Sequence, residues 1–319
     1  MRIELSDTTA ANVAQAIVRA RRGIGSPAMG MVLTLVVSTD EEHVTDCRAA
    51  SMEASREHPS RILTVVRTSN TESRLDAEIM IGEGTPGESV TLRLGGDLVD
   101  HPDSVTLPLL LPDSPVVVWW PQDAPADLST NKLGALGRRR ISDAANAEEP
   151  LASLHQRAER LEPGDSDLTW TRLTGWRALL AASLDQTGAE ITAAVVEGAA
   201  DNPSAQLLAA WLESRLQVPV FCDDSAGPGI TRVQLITPEG AISLSRADGS
   251  TATYAVPHQP ERSVALRRRD PDQLLAEELR RLDPDQIFEA ACRMLVERAA
   301  RGTASGATSA QESARSESA

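Results

Sequence analysis

The chain has 319 residues, with 31 lysine and arginine residues against 46 aspartate and glutamate residues, a formal net charge of −15. A hydrophobic content of 41% and a charged content of 24% are typical of a globular protein of about two domains. The negative charge argues against binding to nucleic acid or to an anionic membrane. Lys132 is the only lysine, so every lysine-based catalytic site must use that residue, and we expect a protein that is not an enzyme.

The composition also predicts a compartment. The amino-terminal residues MRIELSDTTA contain no apolar run typical of a signal peptide, and nowhere do about 18 apolar residues follow one another. Cys47, Cys222 and Cys292 are too few and too scattered for a disulfide framework. We therefore expect a cytoplasmic protein that does not associate with a membrane.

The first half of the chain alternates predicted helices and strands. An amphipathic helix follows a predicted cap at Asp7, and the apolar run Met29–Val37 indicates a buried strand. A capping-box pattern at Thr39–Glu42 opens a helix that leads to a strand at Ile62–Val66, which together predict a parallel strand–helix–strand unit. Further strands are expected at Leu75–Ile81, Ser89–Leu94 and Val116–Trp120, with a helix at Leu151–Leu161. Residues 1–165 are thus predicted to form an α/β domain.

The second half begins after a polar, turn-forming segment at residues 162–167. A helix over residues 170–180 precedes a second strand–helix–strand unit, whose helix starts at Pro203. Period-two alternation over residues 232–266 then predicts an antiparallel meander, and helices starting at Asp270-Pro271 and Asp283-Pro284 close the fold. Residues 166–300 are predicted to form an α+β domain and residues 301–319 a disordered tail. The predicted fold class is α/β with two domains, each a mixed sheet with packed helices.

Two glycine patterns resemble phosphate-binding loops. Residues Gly82–Gly87 (Gly-Glu-Gly-Thr-Pro-Gly) match the dinucleotide fingerprint, but a strand and not a helix is predicted to follow them. We interpret them as a hairpin turn. The segment Gly23–Ala28 follows a helix and precedes a strand, which is the wrong context as well.

Catalytic and metal motifs are missing from the sequence. The five histidines form no His-x-x-x-His pair, and no Cys-x-x-Cys or Gly-x-Ser-x-Gly motif occurs. We therefore predict no catalytic residue, no metal ligand and no cofactor.

Two arginine runs and a tryptophan pair have two interpretations each. Arg138–Arg140 and Arg267–Arg269 either bind carboxylates or phosphates of a ligand, or pair with nearby acidic side chains at solvated strand ends. Trp119 and Trp120 are neighbours on a strand and therefore face opposite sides of the sheet. One ring is predicted to fill the core, while the other is covered by a helix or by a binding partner.

Residues 112–121 (Pro-Asp-Ser-Pro-Val-Val-Val-Trp-Trp-Pro), followed by Leu133 and Arg139–Asp143, resemble the central signature of the OpcA family. These are the glucose-6-phosphate dehydrogenase assembly proteins. The likeness extends over most of the chain except its tail, and the arginine-rich, lysine-poor composition is similar to that of actinobacterial members. Thioredoxin-type redox control, associated with cyanobacterial members, is not expected here because the three cysteines form no close pair.

The resemblance implies a non-catalytic protein that binds glucose-6-phosphate dehydrogenase and promotes its assembly or activity in the oxidative pentose phosphate pathway. Our hypothesis places part of the binding surface at Trp119, Trp120, Arg138, Arg139 and Arg140. The alternative is a nucleotide- or sugar-phosphate-binding transferase-like enzyme that uses the Gly82–Gly87 turn and an arginine run. A third interpretation is an adaptor with no metabolic partner.

Overall fold

A computed structural model describes the backbone of residues 1–24, 30–82 and 87–316, and the side chains of residues 1–22, 30–82 and 87–301. The strands are β1 (Arg2–Leu5), β2 (Leu33–Asp40), β3 (Ser60–Arg67), β4 (Arg74–Ile81), β5 (Glu88–Gly95), β6 (Val116–Trp119), β7 (Arg139–Ser142), β8 (Asp165–Asp167), β9 (Ala193–Gly198), β10 (Val220–Asp224), β11 (Ile230–Thr237), β12 (Gly240–Ser245), β13 (Thr251–Ala255) and β14 (Arg262–Ala265). The α-helices are α1 (Ala10–Ile24), α2 (Val44–Glu57), α3 (Pro102–Thr106), α4 (Pro150–Glu159), α5 (Leu168–Arg172), α6 (Thr174–Thr187), α7 (Pro203–Leu216), α8 (Pro271–Leu279) and α9 (Gln286–Ser316). The predicted mixed α/β fold class is confirmed.

The chain divides into two compact units that are each discontinuous in sequence. The first contains residues 1–148, 162–171 and 269–284, and the second contains residues 149–161, 172–268 and 285–319. The predicted domain limits of 1–165 and 166–300 stay a prediction. The same holds for the predicted disordered tail at 301–319, although the backbone of α9 runs to Ser316.

The first unit is built on an eight-stranded sheet in the order β1-β4-β5-β3-β2-β6-β7-β8. The six strands from β5 to β8 in this order are mutually parallel, and β4 and β1 add antiparallel strands at one edge. The predicted parallel strand–helix–strand unit is confirmed, since β2 and β3 pair in parallel with α2 between them. Its first strand begins at Leu33, and Met29 lies outside the described residues.

Apolar side chains cover both faces of this sheet. One core combines Val13 and Ile17 of α1 with residues of β4 and β5, and the other combines Cys47 of α2 with Leu274 and Leu275 of α8. Helices therefore lie on both sides of the parallel strands, which explains why β3 is buried over almost its whole length.

Three predicted helix caps are wrong by a few residues. Thr39 lies in β2 and does not open α2, which begins at Val44, and the Asp40 carboxylate accepts from the N–H of His43 at 2.9 Å. Asp7 has a left-handed backbone (φ 48°), and Thr9 begins α1 by accepting a hydrogen bond from the backbone N–H of Asn12 at 3.2 Å. The last helix is capped by Asp285, whose carboxylate accepts from the N–H groups of the two residues at 287 and 288, and not by Asp283. The predicted start of α8 is confirmed, because Asp270 and Gln273 form a capping box.

The second unit contains a six-stranded sheet in the order β10-β9-β11-β12-β13-β14. β9 and β10 pair in parallel around α7, and β11 to β14 form the predicted antiparallel meander. Along β11 and β12 buried residues alternate with more exposed ones, as the period-two pattern predicted. None of the helices in the described part of the chain is long and apolar enough to cross a bilayer.

Candidate functional site

The two predicted tryptophans lie in the two cores of the first unit. Trp119 is 2% exposed and packs in the core that contains Ile141 and Leu274. Trp120 is 4% exposed and belongs to the opposite core, where Gly134 approaches it so closely that an added Cβ would lie 3.3 Å from the ring. The prediction that the rings face opposite sides is confirmed. Helices and loops of this chain cover both rings.

The arginine run divides into one exposed and two buried residues. Arg138 is solvent-exposed and pairs with Asp283 at 2.7 Å, where both side chains are more than half exposed. Arg139 is 3% exposed and donates from Nη2 to Glu278 Oε2 at 2.7 Å and from Nη1 to the carbonyl of Asp283 at 2.9 Å. Arg139 therefore pairs with an acidic side chain as the second interpretation states, but it does so in the core of the first unit and not at a solvated strand end.

Arg140 is held by the segment that the sequence suggested as a polar boundary. Its guanidinium pairs with Asp165 and donates to the carbonyl oxygen of Pro163 at 2.7 Å. Burial raises the pKa of the Asp165 carboxyl, although the guanidinium and a backbone N–H donate to it. Residues 165–167 form β8 because their acidic groups find such donors inside the first unit.

Trp119 lies on β6 and Trp120 directly follows it, Arg139 and Arg140 lie on the adjacent strand β7, and Arg138 directly precedes β7. Of these five predicted residues only Arg138 is exposed. The placement of a protein interface at these five positions stays a prediction. Its accessible group is the Arg138 guanidinium beside Asp283.

The sequence did not single out Glu278, which organises the buried polar cluster. Its two oxygens accept from Arg139, from the Ser166 hydroxyl at 2.8 Å and from the Thr171 hydroxyl at 2.5 Å. The available signal was its position four residues after Leu274 on the apolar stripe of α8, where an unpaired carboxylate is costly to bury.

The parallel strands of the first unit follow the order of dinucleotide-binding sheets. Numbered along the chain, the six strands lie in the order three-two-one-four-five-six, which places a topological switch point between β2 and β6. In such sheets the ligand sits outside the carboxyl ends of these strands, and a glycine-rich turn after the first strand receives its phosphates.

The turn after β2 has a different chemistry. Its residues 40–43 are Asp-Glu-Glu-His and contain no glycine, so a pyrophosphate there would meet three carboxylates. The hydrogen bond with Asp40 raises the pKa of His43, since the carboxylate accepts from the protonated ring. Across the switch point the Thr39 hydroxyl donates to Gln122 Oε1 at 3.3 Å, and burial raises the pKa of the nearby Cys47 thiol. The turn at the switch point is therefore acidic and differs from the glycine-rich turn that receives phosphates in dinucleotide-binding sheets.

The glycine pattern at Gly82–Gly87 joins two antiparallel strands. Ile81 of β4 lies directly opposite Glu88 of β5, which confirms the hairpin interpretation, while residues 83–86 lie outside the described part. A Cβ at Gly87 would lie 2.1 Å from the carbonyl oxygen of Ser60, so glycine is required by close packing there. In the Gly23–Ala28 segment, residues 25–28 are also outside the described part. Within the described residues, no group of three histidine, cysteine or acidic side chains has the arrangement of a metal site.

The fold and this site define an α/β protein of two compact units, with a doubly wound sheet whose switch point lacks a phosphate-binding turn. The family model described as the glucose-6-phosphate dehydrogenase subunit N-terminal domain matches residues 51–159, and the model described as its C-terminal domain matches residues 163–292. The chain belongs to the OpcA family of glucose-6-phosphate dehydrogenase assembly proteins, and the proposed resemblance is confirmed.

A search of curated proteins found no match. Among solved structures, an oxidoreductase from Sinorhizobium meliloti is similar with a TM-score of 0.41 and 10% identity, over 86% of this chain and 89% of that one. An oxidoreductase domain protein from Kribbella flavida gives a TM-score of 0.41 and 11% identity over 85% and 98% of the two chains. Similarity at this level carries no argument about activity.

Proposed function

We propose that this chain is a non-catalytic cytoplasmic factor that binds glucose-6-phosphate dehydrogenase, promotes its assembly and raises its activity in the oxidative pentose phosphate pathway. The observation that carries the proposal is that two consecutive family models of the dehydrogenase subunit cover most of the chain. No cofactor, nucleic acid or membrane takes part in this function.

The chemistry of the switch point supports a role without catalysis. Acidic residues occupy the turn where a dinucleotide-binding sheet holds its phosphates, and the Thr39–Gln122 contact spans the neighbouring strand ends. A protein that acts by docking needs a surface that binds one state of its target more tightly than another, and this difference in affinity sets the size of the effect.

Mixing the purified chain with the dehydrogenase tests the proposal. We expect a larger particle in light scattering and a higher initial rate of the dehydrogenase at the same enzyme concentration. A dehydrogenase whose mass and rate are unchanged by a saturating excess of this chain contradicts the proposal.

The enzyme alternative makes a different prediction. A sugar-phosphate transferase turns over substrate without the dehydrogenase, whereas the proposed factor does not. No feature of the described residues favours this alternative, because the Gly82–Gly87 segment joins two paired antiparallel strands. Turnover of a nucleotide or sugar phosphate by the homogeneous chain would establish the alternative.

For the docking surface we propose the exposed edge at Arg138. Replacing Arg138 by glutamate is expected to lower affinity for the dehydrogenase about fivefold to tenfold and to reduce the salt dependence of binding, because the charge is reversed at a solvent-exposed position. Titration by light scattering or calorimetry at two salt concentrations measures both effects.

The matched control is Arg262→Glu, which makes the same charge change at an exposed position of β14. Equal affinity of the Arg138 variant and the wild type would remove Arg138 from the interface without affecting the proposed function. Arg139 and Arg140 are unsuitable for this test because their side chains are buried.

A further inference from the structure

One face of the sheet in the second unit is accessible. Buried residues such as Val196 and Val233 alternate along β9, β11 and β12 with residues that are partly or fully exposed. Helix α7 lies on the buried side, because the Cys222 thiol of β10 donates to Gln206 Oε1 of this helix at 3.8 Å. The neighbouring Phe221 therefore faces the accessible side, and it is 56% exposed.

The strand register aligns the accessible side chains in rows that cross the sheet. The central row consists, in order from β10 to β13, of Phe221, Val195, Gln234, Ser243 and Ala255. The next row, across β9, β11 and β12, contains two alanines and Ile236. We call the surface of these two rows the open face. None of its side chains carries a charge.

Charge distinguishes the open face from the rest of the chain. The chain has a formal net charge of −15, and the exposed face of an antiparallel sheet is normally polar. The row on the other side of the central row contains Asp223, Glu197 and Arg232, and Arg232 Nε donates to Glu197 Oε1 at 2.7 Å. Two copies of so acidic a chain repel each other over most of their surface, whereas two open faces approach without bringing like charges together.

The open face is also complementary to itself in shape. Its larger side chains Phe221 and Val195 lie on β10 and β9, while the small side chains of Ser243 and Ala255 lie on β12 and β13. A twofold axis parallel to the strands places the half with the larger side chains over the half of the partner with the small ones. This pairing favours a second copy of the chain as the occupant of the face.

The area of the sheet is sufficient for such a dimer. Its strands have four to eight residues each. With a strand spacing of about 4.8 Å and a rise of about 3.3 Å per residue, the flat area is roughly 540 Å². Two faces then bury at least about 1,100 Å², because side chains add relief to the flat area, and this approaches the roughly 1,200–2,000 Å² of stable interfaces.

We propose that the open face binds the open face of a second copy of this chain, sheet against sheet, in a dimer with twofold symmetry. Packed sheets lie about 10 Å apart with their strands aligned within about 30°, an arrangement that the small side chains of the face permit. The dimer covers the Phe221 ring, which the single chain leaves exposed. The inference does not depend on the proposed function, because it concerns the chain without the dehydrogenase.

Sedimentation velocity of the full chain alone, over a concentration range of about 1–100 μM, tests the proposal. We expect the mass to rise from that of one chain to that of two chains as the concentration increases. A chain that remains monomeric over this range contradicts the proposal.

Two variants locate the interface. Ser243→Arg places a long charged side chain in the middle of the open face, and Phe221→Ser removes the exposed ring. Each is expected to weaken dimerisation at least tenfold, because one adds a charge without a partner and the other removes an aromatic contact. Ser104→Arg, the same change at an exposed position of α3, is expected to dimerise like the wild type. Far-ultraviolet circular dichroism verifies that each variant is folded.

The variants also distinguish a second copy from the dehydrogenase as the occupant. Wild-type dimerisation in both folded open-face variants, or an equal loss in the Ser104 variant, would place the dimer interface elsewhere and overturn the proposal. A wild-type chain that is monomeric alone, and that loses dehydrogenase binding through Ser243→Arg but not through Ser104→Arg, would assign the open face to the dehydrogenase. That result would overturn the proposed dimer and leave the proposed function intact.

Discussion

Replacing Arg139 by methionine is expected to lower the free energy of unfolding by about 3–5 kcal/mol, the cost of removing one member of a buried ion pair. Arg139 and Glu278 are almost completely buried, and without the guanidinium the Glu278 carboxylate keeps, among the described residues, only the hydroxyl donors Ser166 and Thr171. Urea unfolding followed by circular dichroism measures the loss.

The adjacent Arg138 provides the control. The same change to methionine there is expected to cost at most about 1 kcal/mol, because the Arg138–Asp283 pair is exposed and water screens it. In the double variant Arg139→Met/Glu278→Met the loss is expected to be smaller than the sum of the two single losses, since no unpaired carboxylate remains. Equal losses at Arg138 and Arg139 would contradict the buried pair.

Because only Arg138 of the three arginines is exposed, only its substitution tests binding to the dehydrogenase without disturbing the fold. Reversing all three charges at once would unfold part of the first unit before it reported on an interface, because Arg139 and Arg140 are structural. A loss of dehydrogenase binding in such a triple variant would combine unfolding of the first unit with the loss of an interface contact. The single change at Arg138 reports the interface contact alone.

Local sequence patterns were sufficient for most individual elements. The β-branched apolar run of β3 and the period-two alternation of β11 and β12 are properties of a few adjacent residues, and they predicted the strands correctly. The start of the last helix was predicted wrongly. Asp283-Pro284 has the pattern of a capping residue followed by proline, but the observed hydrogen bonds assign the cap to Asp285.

Long-range pairing was beyond a local pattern. β8 has the sequence Asp-Ser-Asp, which suggested a solvated boundary, yet it is buried because Arg140 lies beside Asp165 across 25 residues of chain. The partners Arg139 and Glu278 are separated by 139 residues. Arginine and tryptophan occur both at interfaces and in paired or core positions, so their type alone could not distinguish the two.

The order of strands could not be predicted from local sequence patterns either, and it supports the proposal of a role without catalysis. Only the observed order identifies the turn after β2 as the switch point of the sheet, where acidic residues stand in place of glycines. The glycine pattern at Gly82–Gly87, which matches the dinucleotide fingerprint, joins two antiparallel strands away from this switch point. A motif predicts a ligand site only when the topology places it at the right end of the right strand.

The tryptophan pair gives the second large expected effect. Trp119→Ala and Trp120→Ala are each expected to lower the free energy of unfolding by about 3–5 kcal/mol, because each removes a buried ring from one of the two cores of the first unit. Trp119→Phe is expected to cost less, since it keeps an aromatic ring and removes an indole N–H that has no acceptor among the described residues. Thermal and urea unfolding measure these differences.

Trp211 of α7 is the matched control, because its ring is only partly buried and its replacement by alanine is expected to cost less than either core change. The comparison separates the two interpretations of the pair. If the rings belong to the core, their removal lowers the stability of the isolated chain. If they belong to the interface, their removal leaves the isolated chain stable and weakens binding to the dehydrogenase. Losses below about 1 kcal/mol in both alanine variants, with dehydrogenase binding abolished, would place the rings at the interface and contradict their burial in this chain.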